Sequence, residues 1–378
     1  MTKQQNILIC PLEWGLGHAG RMIALAAKLR EMNYNILFGA GEKHLSFLRN
    51  EMPGLTYINF PGFSPGYSRF LPQYLALLLK IPLLLYHIIH EHIRLKRIIP
   101  EYAIDIVISD NRFGLWNRRI KTVYVTHQPL IPLPKLFNRF EFIGVTLHRM
   151  VISRYSLCFI PDLPGDLNIS GRLSHGVRLP QNVRFTGILS RFSGITSSGI
   201  ENPAGFRHNT VILSGPEPQR GIFGKKLTDI LKDKEHPAVI LGGKSDKPAD
   251  MIRSGNIVYF NHLSGPAMKE VINGSEAIIS RSGYTTIMEL ISLNCSALLI
   301  PTPGQTEQEY LARYLADKGW FTTITQKEIN AGISLPSIKS KWGNEIIGES
   351  KILLEKALKE MSEEDQDKSC TAGTEKKA

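Results

Sequence analysis

Short apolar runs alternate along this chain with longer stretches in which apolar positions recur every three or four residues. Asn6 to Pro11 (NILICP) is one such run; the turn EWGLGHAGR follows, and then IALAAKLREMNY with helical spacing. That order reads as strand, glycine turn, helix. Further runs at Asn35–Ala40, Leu55–Phe60, Asp105–Asp110 and Thr122–His127 are separated by helix-length intervals. Strands covered by helices on both faces are apolar without alternation, so these runs predict a parallel, doubly wound α/β sheet.

Between Pro161 and Pro203 the chain becomes rich in Gly, Ser and Pro, with NVRFTGILSR as one more expected strand. A domain junction is expected there. The pattern then restarts at Thr210–Gly215, Ala238–Gly243, Ile257–Phe260, Ala277–Ser280 and Ser296–Pro301, which predicts a second Rossmann-like half. The expected layout is a first domain over 1–190, a second over 205–335, a helical segment over 336–362 and a polar, aperiodic, disordered tail over 363–378. No short-period repeat is present.

Composition agrees with two cores: 378 residues, 43% hydrophobic and 21% charged. The net charge of +11 favours anionic partners such as nucleic acid, anionic lipid or a phosphorylated small molecule. Nucleic acid is set aside, because no basic stripe interleaved with stacking aromatics occurs. Cys10, Cys158, Cys295 and Cys370 have no zinc or redox spacing, and three lie in apolar runs, as buried free thiols in a reducing compartment do. The first residues lack a basic-then-apolar leader, so a cytoplasmic location is expected. Lys80, Pro82, His87, His90, Glu91 and His92 interrupt the apolar run Leu71–Ile99 too often for a membrane span. The run reads as a connecting helix buried against the first sheet, the favoured account, or as a surface lying on an anionic membrane. Its Tyr74, Tyr86, Arg94, Lys96 and Arg97, with Lys135, Arg139, Arg149 and Arg154 further on, suit the second.

Ligands of open parallel sheets gather at the carboxyl ends of strands, and four places there can carry chemistry. Gly15, Gly17 and His18 follow the first strand; the alternatives for His18 are a general base or a capping side chain. Asp110 ends another strand and either orients His18 or caps the next helix. Ser214 and Gly215 open a turn that can hold a diphosphate, although Pro216 and Pro218 lack amide hydrogens. Ser280–Leu290 (SRSGYTTIMEL) is the most informative. Arg281, Ser282, Gly283, Tyr284 and Thr285 form the turn into a helix whose free amides suit phosphate. Glu289 lies further along, where a carboxylate can accept from two ribose hydroxyls, and Glu307 and Gln308 after the next strand suit sugar hydroxyls. The bland account makes Glu289 a solvated helix face.

The motif Ser-Arg-x-Gly-x-x-Thr, then Glu289, then Pro301 and Glu307-Gln308, resembles the donor site of GT-B glycosyltransferases, particularly glycosyltransferase family 28. The likeness runs from about Asn6 to Phe321. It implies two Rossmann-like domains facing across a cleft, with a nucleotide sugar, expected to be UDP-linked, held by the second. It also implies that Glu289 binds ribose, the Gly283 and Tyr284 amides the diphosphate, Gln308 the transferred sugar, and Arg191 the nucleotide side. His18 matches the histidine of the family's first glycine loop, and His127-Gln128 resembles its His-Glu-Gln stretch, which makes His127 a second candidate base. Ser214-Gly215-Pro216-Glu217-Pro218 departs from the family's glycine-rich phosphate turn.

The resulting expectation is an inverting, metal-independent transferase that needs no cofactor and acts on a sugar or lipid-linked, cell-envelope acceptor. Two rivals stand beside it. A nucleotide-sugar 2-epimerase needs two acid/base carboxylates around the sugar, and only Glu307 is evident. A non-catalytic nucleotide-sugar binder would bind donor without turnover.

Overall fold

Strands whose residues are apolar on both faces end up in the middle of two sheets. The computed structural model describes residues 4–64, 79–195, 202–244, 250–330, 332–338, 340 and 343–363. The first sheet holds β1 (Asn6–Cys10), β2 (Asn35–Ala40), β3 (Thr56–Asn59), β4 (Ile106–Asp110), β5 (Lys121–Val125), β6 (Leu157–Ile160) and β7 (Val183–Phe185). Its order is β3-β2-β1-β4-β5-β6-β7, and every pairing is parallel. The second holds β8 (His208–Ile212), β9 (Ala238–Leu241), β10 (Met251–Ser254), β11 (Ile257–Phe260), β12 (Ser275–Ser280), β13 (Leu298–Leu299) and β14 (Thr322–Thr323). Its order is β10-β11-β9-β8-β12-β13-β14; β10 alone runs antiparallel, as the outer strand of a hairpin.

Both sheets reverse their winding direction next to their first strand, between β1 and β4 in one and between β8 and β12 in the other. A crevice opens at such a reversal, because the connections on either side leave toward opposite faces. Cys10 and Asp110 end the two strands of the first crevice; Ile212 and Ser280 end those of the second. Two α/β domains with parallel sheets are therefore present, as the sequence pattern predicts.

Helix α1 (Leu16–Glu31) starts from Gly15, whose φ of 88° suits a residue without a side chain. Ala19, Met22, Ile23, Ala26 and Leu29 recur at helical spacing and are buried. Helix α2 (Glu42–Glu51) follows β2, and α3 (Ile81–Glu101) precedes β4. The expected buried connecting helix is only partly realised in α3. Glu91, Leu95 and Ile98 are buried, whereas Leu83, Leu85, Tyr86, Ile89 and Ile93 are exposed. Leu71 to Leu78, with Tyr74, fall outside the described residues, as do 364–378 and Cys370. Cys10, Cys158 and Cys295 are buried free thiols.

The remaining α-helices among the described residues are α4 (Glu141–Ile152), α5 (Gln219–Leu231), α6 (Gly265–Asn273), α7 (Tyr284–Ser292), α8 (Thr306–Asp317) and α9 (Gly343–Glu363). Helix α9 leaves the second sheet and returns to the first. Its Ile346 packs in the core behind the second sheet, while Ala357, Leu358 and Met361 belong to the core that holds Ile7, Ile36 and Leu157. Ser350 Oγ accepts from the Ile188 amide at 3.0 Å. A Cβ on Gly187 would lie 2.2 Å from Ser350 Cα, so glycine is required for α9 to lie this close.

Candidate active site

The two crevices face one another across a cavity of about 1210 Å³. Helices α1 and α7 meet at its base. Thr285 Oγ1 donates to the Gly17 carbonyl at 3.2 Å, and a Cβ on Gly17 would come within 3.1 Å of that same oxygen. The N-termini of α1, α7 and α8 begin at Gly15, Gly283 and Gln305, all of which line the cavity, and no side chain caps any of them. Uncapped helix amides favour an anion such as a diphosphate.

On the first-domain side, His18 Nδ1 lies 2.9 Å from Asp110 Oδ2. Asp110 is fully buried; burial opposes its ionisation, but the Arg21 guanidinium and His18 outweigh that and hold the carboxyl at about 2. Arg21 comes from the next turn of α1, is 1% exposed, and donates through Nε to Asp110 Oδ2 at 3.0 Å and through Nη2 to Asp110 Oδ1. Its Nη1 lies 3.0 Å from His127 Nδ1. Sequence reading passed over Arg21, although its place three residues after His18 puts both on one helix face.

His127 has no ring nitrogen to spare. Nε2 is 2.9 Å from Glu307 Oε1, and the ring stacks on Tyr284 with centroids 4.2 Å apart. Burial pushes the pKa of His127 below that of an ordinary imidazole, partly offset by Glu307. Glu307 is held below the usual carboxylate range, because His127, His18 and Arg21 outweigh its burial. Gln128 lines the same wall.

On the second-domain side the predicted residues separate into two groups. Ser214, Gly215, Gly283, Tyr284, Thr285, Glu289, Glu307 and Gln308 line the cavity. Arg281 and Ser282 do not. The Arg281 guanidinium is buried behind β13, where it donates to the Ile300 and Pro301 carbonyls at 3.1 and 3.0 Å. Ser282 Oγ donates to the Gln308 carbonyl at 2.8 Å, so it fixes the turn that presents Gln308 and does not face the cleft. Gln308 Oε1 accepts from the Thr302 amide, which orients its remaining amide group. The exposed-face account of Glu289 fails: it is 6% exposed and paired with Arg191 Nε at 2.8 Å. Burial pushes the Glu289 carboxyl up and Arg191 counters it. Arg220, which the sequence reading also missed, lines the cavity beside Ser214 and Gly215; it pairs with Glu217 at 3.0 Å and donates to the Gly243 carbonyl at 2.7 Å.

Two parallel α/β sheets, a cleft between their switch points and helix N-termini aimed into it define the architecture of GT-B transferases. Residues 231–337, which include Arg281 to Gln308, match the glycosyltransferase family 28 C-terminal domain. An uncharacterized glycosyltransferase of Methanosarcina acetivorans is 25% identical over 329 residues, covering 81% of this chain and 82% of that one. A UDP-N-acetylglucosamine--N-acetylmuramyl-(pentapeptide) pyrophosphoryl-undecaprenol N-acetylglucosamine transferase of Desulforudis audaxviator is 27% identical over 157 residues, 36% of this chain and 41% of that one. Among solved structures, the kitacinnamycin glycotransferase superposes with a TM-score of 0.60 at 12% identity, covering 95% of this chain and 98% of the other. The chain is a glycosyltransferase of the GT-B type, and its second half carries the family 28 C-terminal domain.

Proposed function

We propose that the protein transfers a sugar from a nucleoside diphosphate donor, a UDP-sugar, to an acceptor hydroxyl with inversion at the anomeric carbon. The observation that carries this reading is the His18–Asp110 pair, 2.9 Å apart between the first turn of α1 and the end of β4, in the cavity that the uncapped start of α7 also lines. With Nδ1–H donated to Asp110, Nε2 of His18 is free to take the acceptor's proton. The acceptor oxygen then bonds to the anomeric carbon as the bond from that carbon to the diphosphate breaks, its electron pair staying on the diphosphate. Helix amides of α7 and the Arg191 cation stabilise the departing charge. The Asp110 carboxylate stays ionised and supports the imidazolium that forms. A screen of UDP-, TDP-, ADP- and GDP-sugars by thermal shift tests the donor class, since a ligand that binds only the native state raises its stability. UDP-sugars are expected to raise the midpoint and the others not; a preference for another base would overturn the UDP assignment. The UDP-N-acetylglucosamine named as donor of the Desulforudis relative supports a UDP-linked sugar.

Glu289 is the residue for the donor ribose. Its carboxyl is paired with Arg191 inside the cavity, where its oxygens suit two vicinal hydroxyls. Glu289→Gln is expected to weaken UDP binding about 10- to 100-fold, the worth of a hydrogen bond to a charged group, in a calorimetric titration. Wild-type affinity in that variant removes the ribose assignment.

The acceptor side points to a lipid-linked acceptor at an anionic membrane surface. Leu85, Tyr86 and Ile89 on α3 and Phe142, Leu147 and Met150 on α4 are more than half exposed. Ile81, Leu84 and Ile88 of α3 and Phe137 and Phe140 just before α4 line the cavity, so the apolar surface is continuous with the site. Arg149 adds positive charge on α4, the helix that carries Phe142, Leu147 and Met150. No described helix is long and apolar enough to cross a membrane, and attachment through these apolar and basic faces would be peripheral. Vesicles containing phosphatidylglycerol should carry the protein upward on flotation at low salt, with Phe142→Glu reducing the bound fraction. Absence of flotation at low salt removes the membrane claim.

A further inference from the structure

The polar groups of the cleft form one connected path from Glu307 through His127 and Arg21 to Asp110 and His18. Arg21 has donors only and no lone pair. Its Nη1 lies 3.0 Å from His127 Nδ1, so that nitrogen must be bare. A neutral imidazole then carries its proton on Nε2, which is 2.9 Å from Glu307 Oε1 and donates to it. Burial keeps His127 neutral, and His127 and its neighbours keep Glu307 ionised, in agreement with this assignment. The stack on Tyr284, whose hydroxyl donates to the Pro161 carbonyl at 2.7 Å, fixes the plane of the His127 ring. Glu307 belongs to α8 of the second domain and His127 follows β5 of the first, so the path crosses the cleft.

At the other end the geometry is ambivalent. His18 Nδ1 is 2.9 Å from Asp110 Oδ2, an acceptor, and 2.9 Å from Arg21 Nη2, a donor. One ring nitrogen cannot serve both. With the proton on Nδ1, His18 donates to Asp110 and its Nε2 is a base. With the proton on Nε2, Nδ1 accepts from Arg21 and no base is left. The placement of Arg21 decides between the two tautomers, and one of its arms is anchored by His127, which is in turn held by Glu307.

We propose that Arg21 is a positioning residue that selects the base-competent tautomer of His18, and that Glu307 of the donor-side domain governs it through His127. The proposal rests on His18 being the base, and it makes the acceptor-side base depend on a carboxylate that lines the donor half of the cleft. Removing the Glu307 carboxylate frees the His127 ring and with it the Nη1 arm of Arg21; the guanidinium, still paired with Asp110, can then turn Nη2 onto Nδ1 of His18 and move the proton to Nε2.

The test is a long-range proton–nitrogen correlation spectrum of the full chain labelled with 15N-histidine, with the two rings assigned by His18→Gln and His127→Gln. In the wild type, His127 is expected as the Nε2–H tautomer and His18 as the Nδ1–H tautomer. Glu307→Ala should move the ring nitrogens of both, and Arg21→Lys should release His127 from its Nε2–H form. Glu307→Gln, which keeps the shape of the site and removes the charge, serves if the alanine variant does not fold. His18 nitrogens that stay put while those of His127 move would overturn the coupling, and so would a His127 that does not respond at all. Activity separates this from the reading beneath it. Full turnover in His18→Ala would remove His18 as the base while leaving the spectroscopic coupling in place. An unmoved His18 in the Glu307 variants would remove the coupling whichever residue is the base.

Discussion

His18→Ala is expected to lower turnover about 10²- to 10⁴-fold, the range for losing a positioned general base, while UDP binding stays at the wild-type level. The asymmetry follows from position. His18 sits at the start of α1, 16% exposed at its side chain and facing the cavity, whereas Glu289 and the α7 amides, assigned to the nucleotide, lie in the second domain. His127→Ala would not remove a free basic nitrogen, because both of its ring nitrogens already have partners in Arg21 and Glu307. Initial rates with UDP-N-acetylglucosamine, read as UDP release, and a UDP titration of the same preparation check both halves of the prediction. Wild-type turnover in His18→Ala would sink the base assignment.

Asp110→Asn is expected to have the largest effect on stability, about 3–5 kcal/mol, because it leaves the Arg21 guanidinium buried without its counter-charge. The substitution keeps the size of the side chain, so the loss is electrostatic. The pH dependence has a definite sign. The folded-state pKa of Asp110, about 2, lies below its ordinary value of 3.8, so its contribution is complete above about pH 4 and disappears as the pH falls toward 2. That depression corresponds to roughly 2 kcal/mol. Between pH 4 and pH 2 the wild type should therefore lose stability that Asp110→Asn lacks from the outset, and the two melting temperatures should converge. Parallel curves over that window would show that Asp110 is not held ionised by the pair.

The central strands of both sheets were legible because burial on two faces leaves no room for polar residues. β2 and β11 coincide with their expected bounds, and β1, β4 and β12 fall within a residue or two of theirs. Three strands were not foreseen, each for a different reason. The run LCFI of β6 is four buried residues with no period to read. β10 is an exposed edge strand containing Arg253, paired only through its hairpin. β14 has two residues and exists because β13 lies beside it. Of NVRFTGILSR only Val183–Phe185 is strand; the rest bends at Gly187, φ 67°, under α9.

The candidate site was legible at strand ends, where position alone marks His18, Asp110 and the turn before α7. What was hidden is pairing across distance. Nothing local in Arg191 and Glu289 announces that they meet, nor in His127 and Glu307, 180 positions apart. Arg281 looked like a cleft residue from its place in the motif, yet the strand end turns its guanidinium to the back of the sheet, against Phe223. Alternation along a strand decides which of two neighbours faces a ligand, and a motif does not record that choice.

The return of α9 to the first sheet has a consequence for synthesis. Ala357, Leu358 and Met361 fill a core whose other members begin at Ile7, so residues some 350 positions apart must come together before that core is sealed. A chain still emerging from the ribosome has translated both sheets before it has the residues that cover the first. Until then the apolar surface around Leu157 and Leu189 waits unsealed, and a helix translated after both sheets closes the first layer to be built.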